Sequence, residues 1–144
     1  LGRLLGELLS HHLQHAFSEG LTRPDLLLPV PLSSRRLRQR GFNQAGMLAR
    51  WLSQSLQLTL NEHLLQRHQD TPAQQQLSAA QRRRNLRQAF ELAADDQVKG
   101  LHLAVVDDVL TTGATAESIA RLLRKAGAAR VDVYCLARTP KPGD

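Results

Sequence analysis

A chain of 144 residues with 42% hydrophobic content is long enough to bury one core and too short to expect two, so one domain over residues 1–144 is expected. Its formal charge of +6 is unevenly placed: residues 26–61 and 71–90 hold no acid but five and four arginines, which suits phosphate, pyrophosphate or a nucleic-acid backbone as partner. Five aromatic residues, barely interleaved with those arginines, argue against a base-stacking single-strand binder, and no apolar run approaches the ~20 residues of a membrane helix.

Helical periodicity starts at once. Leu5, Leu8, Leu9, Leu13, Ala16 and Phe17 predict an amphipathic helix over 2–19, packed by its leucine face and ended by Gly20. His12 is expected to pack in that stripe, whereas His11 and His15, four apart, have no third ligand to complete a metal site. Asp25 to Val30 reads as a short buried strand closed by prolines, followed by the arginine-dense loop Pro31 to Gly41. A second helix is expected from Asn43 to Leu56, with Leu48, Trp51, Leu52 and Leu56 inward and Met47 at a core-like position.

Residues 57–77 allow a short strand at Leu58 to Leu60 and then a polar, glutamine-rich stretch that looks mobile. Ser78 can cap a short basic helix through Arg84, with extended chain near Ala89 to Leu92. Leu101 to Val106 has the continuous apolar character of a parallel strand buried on both faces. Thr115 to Ala126 is expected as a helix stopped by Gly127, and Arg130 to Ala137 as the final strand. Alternating strands and helices predict an α/β fold: an open, mainly parallel sheet with helices on both faces. The single cysteine, Cys135, reads as a small residue of that last strand, and a reducing cytoplasmic compartment is expected. The chain opens on Leu1 already in helical register, as a fragment of a longer protein does.

In an open parallel sheet, ligands sit beyond the carboxyl ends of the strands. Asp107 and Asp108 are expected there, and two adjacent carboxylates need hydroxyl donors, a cation or exposure. A ribose diol offers the first. Thr111, Thr112, Gly113, Ala114 and Thr115 then form a hydroxyl-rich turn at a helix start, where Gly113 permits tight backbone geometry and N–H groups can cradle a monophosphate. At ~3.3 Å per extended residue the acid pair and the turn are spaced roughly like a ribose diol and its own 5′-phosphate. Taken singly, the acids read as solvated loop residues and the turn as a helix cap; together, between an apolar strand and an amphipathic helix, they read as a ligand site.

Residues 103–115, Leu-Ala-Val-Val-Asp-Asp-Val-Leu-Thr-Thr-Gly-Ala-Thr, resemble the signature of type I phosphoribosyltransferases. The resemblance implies that Asp107 and Asp108 hold the ribose hydroxyls and help gather Mg²⁺, and that residues 111–115 bind the 5′-phosphate of phosphoribosyl pyrophosphate. Pro29-Val-Pro-Leu32, Arg38-Gln-Arg-Gly-Phe-Asn-Gln44 and the spaced set Arg67, Thr71, Gln74, Leu77, Arg82, Asn85 and Phe90 are similar to the competence protein ComF family. Proteins of that family commonly carry an N-terminal cysteine zinc module, which is absent from this sequence.

By the same resemblance, Val30, Pro31 and Leu32 lie in the pyrophosphate loop, with Val30-Pro31 the cheapest candidate for a cis peptide. Arg35, Arg36, Arg38 and Arg40 either neutralise the pyrophosphate or form a solvated basic loop, Arg38 and Arg40 being favoured for the ligand. The region from Gln74 through Arg82 to Asn85 resembles the loop that closes over such active sites. Arg83, Arg84 and Arg87 lie nearby, but only about half of this arginine group can share a helix face. Two functions stay open: a magnesium-dependent phosphoribosyl transfer to a nitrogenous acceptor with release of pyrophosphate, or a non-catalytic nucleotide- or single-stranded-DNA-binding role in DNA uptake. Purine-transferring relatives begin the turn with a carboxylate where Thr111 stands, so a 6-oxopurine acceptor is not expected.

Overall fold

The computed structural model describes residues 2–32, 37–39, 41, 43–67, 78–80, 89–110 and 113–138, with the side chains of 2, 108–110, 137 and 138 left aside. In chain order these form α1 (Gly2–Ser18), β1 (Leu26–Pro29), α2 (Gln44–Leu56), β2 (Leu65–Arg67), β3 (Phe90–Leu92), a 3₁₀ turn (Asp95–Gln97), β4 (His102–Leu110), α3 (Ala114–Lys125) and β5 (Arg130–Arg138). Strands β1, β4 and β5 make a parallel sheet in the order β1-β4-β5, and β2 pairs antiparallel with β3 in a separate two-stranded sheet.

Side chains alternate across the parallel sheet and build two cores. Leu26, Leu28, Val30, Leu103 and Val105 meet Ile119 and Leu123 of α3 and Leu64, Leu65 and Phe90 around the β2/β3 pair. On the opposite face Leu27, Ala104, Val106 and Tyr134 meet Leu13 of α1 and Leu48, Ala49, Leu52 and Leu56 of α2. The open parallel sheet covered on both faces is the architecture that the alternation of strands and helices predicts.

Several expectations change. The strand expected at 58–60 is reduced to a single parallel bridge between Leu27 and Leu60, supported by Leu27 N–H on Thr59 O at 2.8 Å and Asn61 N–H on Leu27 O at 3.1 Å. In α1 the face toward α2 is made partly by Gly6 and Ser10; a Cβ on Gly6 would stand 3.2 Å from the Trp51 ring, and Ser10 hydrogen-bonds Ser55. That close approach rotates Leu8 outward, to 58% exposed, and leaves His12 exposed rather than packed. Met47 is 54% exposed because Ala45, Leu48, Ala49, Leu52 and Leu56 already complete the inward face of α2.

The most consequential change concerns β4. It does not end at Val106 but runs to Leu110, because β5 also runs on to Arg138 and pairs with it over Asp107↔Cys135, Val109↔Ala137 and Leu110↔Arg138. Pairing with β1 stops at Pro29↔Val106. Asp107 and Asp108 therefore lie within β4 yet beyond the last residue of β1, backed on one side by β5.

Candidate functional site

Three segments meet the carboxyl end of the sheet: the chain leaving β1, the last residues of β4 and the start of α3. Val30 is fixed at every group it has. Its side chain is buried, its N–H donates to Val106 O at 2.9 Å, and its C=O accepts from Asn43 Nδ2 at 3.3 Å. Asn43 Oδ1 in turn accepts from Ala45 N–H at 3.1 Å, which makes Asn43 the N-cap of α2. One residue on, Pro31 O lies 3.5 Å from Arg67 Nη1, and the Arg67 guanidinium stacks over the Phe90 ring at 5.0 Å.

The Val30-Pro31 peptide is trans, as is every other peptide bond among the described residues. The cis geometry expected there is not adopted: trans is the lower-energy isomer, and the carbonyls on either side of Pro31 nitrogen and carbon are each met by a donor in this form. Leu32 is half-buried at the edge of the described chain. Arg38 sits exposed in the helical turn of residues 37–39, which Gly41 N–H closes on Leu37 O at 2.7 Å. Arg40, Arg35 and Arg36 lie outside the described residues, as do Gln74, Arg82 and Asn85. Arg50, the last arginine of the first acid-free stretch, is engaged by Glu62 at 2.6 Å. A cleft of about 200 Å³ opens beside this loop, lined by Pro29, Pro31, Asn43, Gly46, Arg50, Glu62 and His63.

At β4, Asp107 is half-buried and sits in register with Cys135. Residues aligned this way on parallel strands point to the same face, so the Asp107 carboxylate and the Cys135 thiol share one side of the sheet. Asp108 follows in the strand. Thr111 and Thr112 lie outside the described residues, and the turn reappears at Gly113, whose φ of 80° is left-handed. A Cβ built there meets nothing within 4 Å among the described residues. Ala114 and Thr115 are half-buried in the first turn of α3, which begins with Glu117 N–H on Gly113 O at 2.8 Å. A left-handed glycine feeding a helix N-terminus can accept an anion at the backbone donors of that terminus.

The structure therefore brings Val30, Pro31 and Leu32 to the same end of the sheet as Asp107, Asp108, Gly113, Ala114 and Thr115. Sequence reasoning placed no role on Asn43 or Arg67. The N-cap position of Asn43 is visible in the sequence, but its contact with Val30, 13 residues away, is not. A larger cleft of about 440 Å³ lies between α1 and α2, lined by Glu7, Ser10, His11, Gln14, Trp51, Ser55 and Leu56. Among the described residues no three His, Cys, Asp or Glu side chains converge as a metal site. No helix among them is long and apolar enough to cross a membrane.

Residues 38–143 match the family described as the phosphoribosyl transferase domain. The chain belongs to that phosphoribosyltransferase family. Its relatives bear out the ComF resemblance: it is 46% identical over 139 residues to the DNA utilization protein YhgH of Salmonella typhi, covering 96% of this chain and 59% of that protein. It is 41% identical over 119 residues to competence protein F of Haemophilus influenzae, covering 82% of this chain and 52% of the relative. The chain thus spans little more than half the length of these relatives. Among solved structures, the glutamine phosphoribosylpyrophosphate amidotransferase of B. subtilis shares the fold at a TM-score of 0.59 with 21% identity, over 92% of this chain and 25% of that one. The purine phosphoribosyltransferase of Pyrococcus horikoshii does so at 0.55 with 19% identity, over 94% and 71%.

Proposed function

We propose that this phosphoribosyltransferase domain binds 5-phosphoribosyl pyrophosphate with Mg²⁺ and transfers the phosphoribosyl group to a nitrogenous acceptor, releasing pyrophosphate. The observation that supports this best is the coincidence, at one end of the sheet, of an acid pair beyond the end of β1 and a left-handed glycine at the start of α3. In this reading Asp107 and Asp108 orient the ribose hydroxyls, while Thr111, Thr112 and the Gly113–Thr115 backbone hold the 5′-phosphate. The chain from Val30 to Leu32 meets the pyrophosphate, with Arg38 and Arg40 adding charge.

Mg²⁺ fits such a site as a ligand-borne ion. It takes few protein carboxylates and completes its shell with phosphate oxygens and water, which suits two adjacent acids. When bound it neutralises the pyrophosphate as that group leaves. The chain's own task is positioning and charge compensation, since the transfer needs no protein nucleophile.

Calorimetry with phosphoribosyl pyrophosphate tests the reading. Saturable binding with MgCl₂ and its loss in EDTA are expected, and no heat with Mg²⁺ present would sink it. The names of the relatives and the acid-free basic stretches favour a second reading, a non-catalytic single-stranded-DNA-binding role in DNA uptake. Affinity for an oligonucleotide that falls steeply with salt, alongside no pyrophosphate release from any base, is the outcome that selects it.

A further inference from the structure

We infer that Asn43 is a positioning residue of the phosphate site: its carboxamide sets the direction of the backbone that meets the pyrophosphate. This deepens the reading above and rests on it. The carboxamide is used from both ends, with Oδ1 accepting from Ala45 N–H and Nδ2 donating to Val30 O. Flipping the amide would set donor against donor and acceptor against acceptor, so the orientation is fixed by its partners.

Its consequence lies in what the chain does next. Val30 has its N–H on Val106 O and its side chain in the core, so Asn43 closes the last degree of freedom at this residue. Pro31 then has its φ locked by the ring, and its C=O faces Arg67 from the opposite layer of the fold. In a trans peptide the C=O and the following N–H point in opposite directions, so Leu32 N–H is aimed away from Arg67. That N–H is the next backbone donor after the sheet bond of Val30, because proline has none. Asn43, from the α2 side, and Arg67, from the β2 side, together present it in one direction.

A helix cap alone does not explain the choice of residue. Asp caps as well as Asn, but a carboxylate cannot donate to Val30 O. Asn43→Asp therefore separates the two roles. The full chain and this variant are compared by thermal melting and by titration with magnesium pyrophosphate, phosphoribosyl pyrophosphate and ribose 5-phosphate. We expect a melting temperature close to wild type, roughly ten-fold weaker binding of the two pyrophosphate ligands, and unchanged binding of ribose 5-phosphate, which engages only the other end of the site. Equal weakening toward all three ligands makes Asn43 merely structural and overturns the inference, as does wild-type affinity for pyrophosphate. If the wild-type chain itself binds none of the three, the reading of the site fails and the inference falls with it.

Discussion

Gly113 and Tyr134 show how single residues carry opposite kinds of constraint. Gly113 lacks the backbone for a side chain even where space allows one: its φ is 80°, and nothing among the described residues lies within 4 Å of a built Cβ. Gly113→Val should therefore cost about 1–2 kcal/mol of stability through conformation alone. It should also abolish binding of ribose 5-phosphate, because the new methyl groups fill the space in front of the α3 N-terminus; a variant that binds normally reduces the turn to a helix cap. Tyr134 has the reverse problem. Its ring is buried in the α1/α2 core while its hydroxyl finds no hydrogen-bond partner among the described residues. Burial, and secondarily the Asp132 carboxylate, push its pKa up to about 12 from 10.0. The neutral phenol is thus the form the fold prefers, so its contribution is complete below pH 10 and is lost as pH rises through 12. Tyr134→Phe should change stability by no more than about 1 kcal/mol at pH 7. The wild type is expected to lose on the order of 2 kcal/mol between pH 10 and 12 in denaturant melts, and Tyr134→Phe to remove that loss.

At the scale of elements, burial separates residues that the hydrophobic pattern treats alike. Leu8 and Leu13 both belong to the stripe that predicts α1, yet Leu13 is 4% exposed and Leu8 58%. Leu13→Ala should cost about 2–5 kcal/mol and Leu8→Ala only about 0.5 kcal/mol or less by urea unfolding. Equal costs would mean that α1 does not pack through Gly6 and Ser10. The same contrast explains what the sequence could reveal. Elements that carry their own local signal were legible: α1, α2 and α3 by helical period, β1 and the apolar half of β4 by unbroken apolar runs, and β5, all within a few residues of expectation. Of the β2/β3 pair, the extended chain expected near Ala89 to Leu92 is β3, whereas β2 and the pairing itself were not legible, since β2 has three residues and its partner lies more than twenty residues away. The extension of β4 through Asp107 and Asp108 was equally hidden, because acids lower strand propensity and only the reach of β5 supplies the pairing. In the site, the acid pair and Gly113 could be read locally, whereas Asn43 on Val30 and Arg67 on Pro31 join segments 13 and 36 residues apart.

For the molecule as a whole, the proposed ligand spans three segments that come from different parts of the sequence: the chain after β1, the end of β4 and the start of α3. A molecule that bridges them binds the folded chain and has no counterpart in the unfolded one, so its affinity adds directly to stability. At about one hundred times its dissociation constant the gain is ~2.7 kcal/mol, and for a domain of this length that raises the melting temperature by roughly 5–10 °C. The shift should need every part of the bridge. Ribose 5-phosphate, lacking the pyrophosphate, should give a smaller rise at the same concentration, and EDTA should remove most of the rise due to phosphoribosyl pyrophosphate. Replacing both Asp107 and Asp108 by Asn keeps the size and hydrogen-bonding shape of the side chains but removes both charges. The double variant should melt normally without ligand and gain nothing with it. Single-stranded DNA makes a useful opposite case, because any stabilisation it confers through arginine and phosphate should fade steeply between 50 and 200 mM salt, on the order of a thousand-fold in affinity for six contacts. A full ligand-induced shift in the double Asn variant, or one that persists in EDTA, would show that phosphoribosyl pyrophosphate is held elsewhere on the protein and that the acid pair at the end of β4 is not its ribose site.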